Sequence, residues 1–155
     1  MRLDKFTTKS QEAIQNAQEL AHQSSQQQVD CEHLLLALTQ QQDGIIPTLL
    51  QKTGVELVEL KTDIQNEINN LAKVQDISST ELFCSNQIKQ SLDSAQTESN
   101  ALRDEFVSTE HLLLGLIDKA GNSLSSIFKK HKITKISILN ALSQIRGTQN
   151  VTDAN

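Results

Sequence analysis

The sequence reads Val29-Asp-Cys-Glu-His-Leu-Leu-Leu-Ala-Leu38, and 78 positions later it reads Val107-Ser-Thr-Glu-His-Leu-Leu-Leu-Gly-Leu116. Seven of the ten positions of this motif are identical, which indicates an internal duplication. In each copy a capping residue, Asp30 or Ser108, comes just before the run, so the motif predicts the start of a helix. A helix that contains this leucine run has too few polar side chains to present a face to solvent. We therefore expect both copies to form buried core.

The duplication extends on both sides of the motif. Capping and apolar positions recur at the same offset of 78, as in Thr7 with Ser85, Ile14 with Leu92, Val55 with Ile133 and Leu60 with Ile138. Apolar residues at three- and four-residue spacing predict helices throughout. The sequence thus predicts an all-α fold of eight helices, in two four-helix repeats related by a pseudo-twofold. The first repeat covers about 1–72, the second about 84–146, and residues 72–84 link them.

Several helix boundaries follow from local signals. Thr7 or Thr8 can cap the first helix, with Ser10 or Gln11 reaching back toward the cap. Asp43-Gly44 is a stop signal for the leucine helix of the first repeat. A fourth helix is expected to follow Val55, with one apolar face made of Leu57, Leu60, Ile64, Ile68 and Leu71.

Composition excludes several classes of function. The chain has 14 basic and 19 acidic residues, a net charge of −5, and no basic run, which makes nucleic acid an unsuitable partner. No stretch reaches the 18 or so consecutive apolar residues of a membrane span, and the N-terminus carries no apolar signal region. We expect a soluble, cytoplasmic protein with no membrane partner. Aromatic residues make up only 3%, which suits helices better than a sheet.

A search for catalytic chemistry finds none. Cys31 and Cys84 are isolated and form no CxxC, so neither a disulfide framework nor a zinc site is indicated. His33 and His111 occupy the same position of the two copies, but no HExxH or paired-histidine spacing is present. Nucleophile-elbow, phosphate-loop and dinucleotide motifs are also missing from the sequence. We expect no catalytic residue, metal or cofactor in this chain, and therefore no enzyme.

Recognition is the remaining class, because a pseudo-symmetric helical module leaves grooves that accept peptide segments. Glu110 has an equivalent in Glu32, which favours a shared structural role where the helix dipole attracts negative charge. Asp104 has no acidic equivalent, since the matching position is Gln26. This departure fits drift and function equally well. We expect Asp104 to be an exposed charge away from any cap, whose replacement by Ala leaves the melting temperature nearly unchanged.

Over its whole length the chain resembles the N-terminal domain of the ClpB-type disaggregases, which are hexameric AAA+ chaperones. The resemblance rests on the opening Met1-Arg-Leu-Asp-Lys-Phe-Thr7, on Glu32 to Leu38, on Asp104-Glu-Phe-Val-Ser-Thr-Glu-His-Leu-Leu113, and on Arg146-Gly147 followed by Val151-Thr-Asp153. The repeated motif alone would also fit the ClpA and ClpC types. The opening and the closing stretch favour ClpB.

The resemblance implies a domain over 1–146, with 147–155 as the start of a linker to an ATPase module. It implies binding of unfolded or aggregated polypeptides, with Thr7, Asp104 and Glu110 as the residues of substrate handling. ATP and magnesium, the homohexamer and cooperation with a DnaK-type chaperone belong, by the same resemblance, to other modules. The alternative is an adaptor-docking regulatory domain, as in ClpA and ClpC.

The expected mechanism is weak and promiscuous binding in a groove. Each apolar side chain buried there gains about 1.5–3 kcal/mol before ordering costs. Asp104 and Glu110 at the groove rim would favour neutral to basic segments. Leu92, Phe106 and Leu112 are candidates for the groove lining, although each position also suits the core.

Overall fold

The computed structural model describes residues 3–76 and 81–155, and within them it contains eight α-helices. Their bounds are α1 (Thr8–Gln23), α2 (Cys31–Gln40), α3 (Ile45–Lys52), α4 (Leu57–Asn69), α5 (Asn86–Ala101), α6 (Thr109–Lys119), α7 (Asn122–Lys130) and α8 (Lys135–Arg146). The all-α fold of two four-helix repeats is confirmed. Part of the predicted link, residues 77–80, lies outside the described residues.

The two groups of helices match at the offset that the sequence suggested. α1 and α5 begin and end 78 positions apart, and so do the starts of α2 and α6. The α1 helix buries the small stripe Ala13, Ala17 and Ala21, which lets it approach α2 closely. Equivalent positions in the two halves can therefore be compared one by one.

Two expected boundaries are wrong. The leucine helix α2 ends at Gln40 and not at Gly44, which has a φ of −88° and is the N-cap of α3. Because Gly44 does not adopt the left-handed conformation of a helix stop, it begins a helix here. The helix α4 ends at Asn69, so Leu71 lies beyond its apolar face.

The motif forms the centre of the core, as predicted. Residues 34–38 of α2 and 112–116 of α6 are all buried. Gly115 is required there, because a Cβ atom would overlap the carbonyl of Ser91 and lie 2.9 Å from the amide nitrogen of Ala95 on α5. No helix in the described ranges is long and apolar enough to cross a membrane.

Short parallel pairings join the two halves. The strands β1 (Gln28–Val29) and β2 (Phe83–Cys84) pair with each other, with Val29 opposite Cys84. An isolated parallel bridge joins Phe6 to Val107. At the offset of 78, Phe6 is equivalent to Cys84 and Val107 to Val29, so the two pairings are equivalent. Composition predicted no sheet, and these two-residue pairings are too short to need strand-forming residues. They fix the start of α1 beside the start of α6.

Candidate functional site

A cleft lies where three helices begin. The N-termini of α1, α3 and α6 surround a cavity of about 420 Å³, lined among others by Thr7, Thr8, Gly44, Ile45, Thr109 and Glu110. Lys9 and Asp43 form an ion pair of 2.6 Å at its side. Two of the three residues predicted for the site, Thr7 and Glu110, thus line one cavity although they come from different halves of the chain.

Thr7 holds the start of α1 in place. Its Oγ1 accepts a hydrogen bond from the Ser10 amide at 3.2 Å, which is an N-cap. The Thr7 amide donates to the carbonyl of Val107 at 3.0 Å, and the Ser10 hydroxyl donates to the same carbonyl at 2.9 Å. Thr7 therefore connects α1 to the residue before the α6 cap, and it forms a wall of the cleft.

Glu110 lies in the first turn of α6, as expected, and is largely buried. Its Oε2 lies 3.7 Å from Nη1 of Arg146, the last residue of α8. Nη1 makes no hydrogen bond to any residue that the structure describes. At this length the ion pair engages the Glu110 carboxylate only loosely, and Glu110 lines the cleft.

The expectation that Asp104 is an exposed charge is wrong. Its side chain is 0% exposed and lies behind the cleft. Asp104 accepts hydrogen bonds from Nε2 of His111 at 2.7 Å, from Nη2 of Arg146 at 2.6 Å and from the Val151 amide at 2.8 Å. A buried carboxylate needs such partners. Arg146 is on α8, and the sequence around Asp104 does not indicate that this helix packs against it.

His111, which bonds Asp104, explains why a hydrogen-bond acceptor is buried at position 104. The Ser108 amide donates to Nδ1 of His111 at 2.9 Å, completing a capping box, so the Nε2 proton points at Asp104. The same arrangement occurs in the first half, where the Asp30 amide donates to His33 and Nε2 of His33 bonds Gln26 at 2.6 Å. Asp104 and Gln26 therefore have the same structural role, since each bonds Nε2 of the histidine that caps the next helix. Both histidines cap helices, and neither belongs to a cluster of metal-binding side chains among the described residues.

Burial decides the charge states of this group. Burial lowers the pKa of His111 although Asp104 and Glu110 oppose it, and burial also lowers the pKa of His33. Burial alone would raise the pKa of Asp104. The hydrogen bonds from Arg146, the Val151 amide and His111 outweigh it and hold that pKa below its usual range. At neutral pH both imidazoles are neutral and Asp104 is ionised.

The equivalent place in the other half is closed by hydrogen bonds. There the Ser85 hydroxyl donates to Asp30 at 2.8 Å, and the Ser123 hydroxyl donates to Glu32 at 3.0 Å. Burial raises the pKa of Glu32. Ile45 takes the place of Ser123 at the open cleft, so Glu110 has no such hydroxyl. The two sites have the same backbone arrangement. With Ile45 in place of a serine, the open cleft lacks the hydrogen bond that joins α7 of the second half to α2 of the first half at the equivalent site.

Three further residues, which were not predicted for the site, lie in the cleft wall or behind it. Lys9 and Asp43 contribute the ion pair at its side, and Arg146 carries Asp104 and Glu110 together. The sequence did contain an indication of Arg146, because the equivalent position of the first half is the apolar residue Ile68. Gln26 and Ile68 of the first half thus correspond to one ion pair of the second half, in which Asp104 is enclosed and Arg146 is partly exposed.

Of the groove candidates, Leu92 and Leu112 belong to the core, at 9% and 1% exposed. Phe106 is half-buried. None of the three lines the cleft.

Comparison with known proteins supports one family. The model of the Clp repeat (R) N-terminal domain matches residues 5–131. The chain is 36% identical over its full length to the chaperone protein ClpB of Bacillus anthracis, but it spans only 18% of that relative. The Hsp104 N-terminal domain of Candida albicans has a TM-score of 0.83, with 25% identity and 97% of each chain covered. A ClpV N-domain solved in complex with a VipB peptide shares the fold, at a TM-score of 0.71 and 16% identity, with 97% of this chain and 92% of that one covered.

Proposed function

Because the chain belongs to the Clp repeat (R) N-terminal domain family, we propose that it is the non-catalytic polypeptide-binding module of a ClpB-type chaperone. It would engage unfolded or aggregated chains weakly and deliver them to an ATP-driven ring. ATP and magnesium, the homohexamer, a DnaK-type partner and a cytoplasmic location are parts of the same proposal. The nucleotide, the hexamer and the DnaK-type partner would concern modules outside the 18% of the relative that this chain spans.

One observation carries the proposal: Thr7 and Glu110, from different halves, line the same cleft. Apart from residues 151–155, the cleft is lined by the carboxylates of Asp43 and Glu110 against a single cation, Lys9, among its lining residues. This balance favours neutral or basic segments and disfavours acidic ones. A few shallow contacts of this kind give dissociation constants between about a millimolar and a micromolar, roughly −4 to −8 kcal/mol.

The role of Asp104 follows from its burial. It cannot touch a bound polypeptide in this structure, because its side chain is fully enclosed. We propose that it acts by positioning Arg146, which in turn lies against Glu110. Loss of Asp104 would then change binding indirectly, through the fold.

The test uses two equivalent carboxylates. Glu110→Gln should weaken binding of an unfolded basic polypeptide, such as reduced and carbamidomethylated lysozyme, by about threefold to tenfold, the loss of one screened charge contact. Glu32→Gln is the matched control, since it removes the same charge at the same helix position where Ser123 closes the site. Fluorescence anisotropy gives the affinities. NMR shift mapping should place the largest changes at the starts of α1, α3 and α6, and changes spread evenly or confined to the first half would contradict the proposal.

A regulatory docking module for a folded adaptor is the second candidate. It is favoured by the ClpV N-domain that was solved with a VipB peptide, although that likeness concerns the fold alone. Adaptor binding should be stoichiometric, selective and tighter than micromolar. Binding to a native bait but not to its denatured form would favour the adaptor role over the first proposal.

A further inference from the structure

The residues that follow α8 lie along the cleft. We call Val151–Asn155 the trailing segment; four of its five residues, all but Thr152, line the cavity. Its Ala154 carbonyl accepts a hydrogen bond from the Thr8 amide at 2.8 Å. Its Val151 carbonyl accepts one from the Glu105 amide at 2.7 Å. The segment has no regular secondary structure and is held mainly through its backbone.

The donors that hold it are ones that any extended peptide could use. Thr8 is the first residue of α1, so its amide has no partner within the helix. Glu105 precedes α6 and is equally free of helical bonding. Main-chain bonds of this kind carry little sequence preference, whereas side-chain pockets add it. Only small or short side chains, Val151 and Ala154, are half-buried, while the other three residues of the segment are exposed.

We propose that the trailing segment is a built-in competitor for the cleft. A polypeptide bound there would use the amides of Thr8 and Glu105, to which the segment now bonds, and would replace the segment as a wall of the cavity beside Glu110. Binding then requires the segment to leave first. This inference rests on the proposed function, and it adds a means of regulation: whatever pulls on the segment changes the apparent affinity of the cleft.

The contacts are of the right kind for a reversible competitor. Besides the two carbonyl bonds, the Val151 amide donates to Asp104 at 2.8 Å and the Thr8 hydroxyl donates to the Asn155 side chain at 3.0 Å. A segment joined to the domain rebinds at an effective concentration of about millimolar. The apparent dissociation constant equals the intrinsic constant divided by the fraction of time that the cleft is uncovered.

The experiment uses two variants of the whole 155-residue chain that carry the same added charge. Ala154→Asp places a carboxylate at a half-buried position that lines a cleft already containing Glu110 and Asp43, so it should release the segment. Thr152→Asp adds the same charge at an exposed position that does not line the cleft, so the segment should stay. Amide hydrogen exchange at Thr8 and Glu105 reports release. Anisotropy with labelled, reduced and carbamidomethylated lysozyme reports binding.

We expect Ala154→Asp to speed exchange at both amides and to bind the polypeptide about threefold to tenfold more tightly, with Thr152→Asp like the parent chain. If both amides exchange faster in Ala154→Asp but the affinity is unchanged, and NMR shifts still map to the cleft, the segment is not a competitor. That result would leave the proposed function intact. Unchanged exchange in Ala154→Asp would also overturn the competitor, because the segment would then not be held through this contact. Absence of binding by all three proteins would overturn both proposals.

Discussion

Replacement of Asp104 separates a structural role from a binding role. Asp104→Ala leaves the Nε2 proton of His111 and the guanidinium of Arg146 without their acceptor. Breaking a buried pair by removing one partner costs about 3–5 kcal/mol. Because the Arg146 side chain is 15% exposed and can recover some hydration, we expect about 2–4 kcal/mol. For a domain of this size that lowers the melting temperature by about 5–15 °C.

Urea unfolding followed by circular dichroism measures this loss. Glu105→Ala is the matched control, since Glu105 is the exposed acidic neighbour and its replacement should change the unfolding free energy by no more than about 0.5 kcal/mol. Asp104→Asn keeps a hydrogen-bond acceptor but loses the charge that faces Arg146, so it should fall between the two. Equal stabilities for Asp104→Ala and Glu105→Ala, with polypeptide binding lost only in the former, would refute the reasoning.

Three further predictions concern the core and its titration. Burial lowers the pKa of His33 and His111, so below about pH 6.5 the unfolded chain takes up protons that the folded chain does not. The free energy of unfolding should therefore fall between about pH 7 and pH 5, which urea titrations at several pH values would measure. His111→Gln should make this dependence on pH less steep. Burial raises the pKa of Cys31 to about 12, so iodoacetamide at pH 8 should label Cys84 much faster, as mass spectrometry would show. Gly115→Ala should destabilise by at least about 1–3 kcal/mol in thermal unfolding, because α5 leaves no room for the methyl group; a melting temperature equal to that of the parent would contradict the packing.

The fold could be predicted because its main signal is repeated. Each leucine run predicts a buried helix, and the constant offset of 78 extends that prediction to positions such as Leu60 and Ile138, both of which are fully buried. The boundary at Gly44 failed because glycine serves both helix stops and N-caps. Only the backbone angle, a φ of −88°, distinguishes the two.

The site was harder to predict because it depends on how the halves meet. The cap at Thr7 and the first-turn position of Glu110 follow from local chemistry, yet nothing local places them together. The bridge from Phe6 to Val107 does so. The burial of Asp104 depends likewise on Arg146, 42 residues away on another helix.

The pairings between the halves bear on how such a chain arose. The Ser85 amide donates to the Val29 carbonyl and the Thr7 amide donates to the Val107 carbonyl, so each half completes hydrogen bonds of the other. A single ancestral copy would leave those groups unpaired, and a second identical molecule could complete them around a true symmetry axis. The chain therefore has the architecture of a fused homodimer. Fusion frees the two copies from identity, so that Ser123 can bond Glu32 at one site while Ile45 stands at the equivalent position of the other.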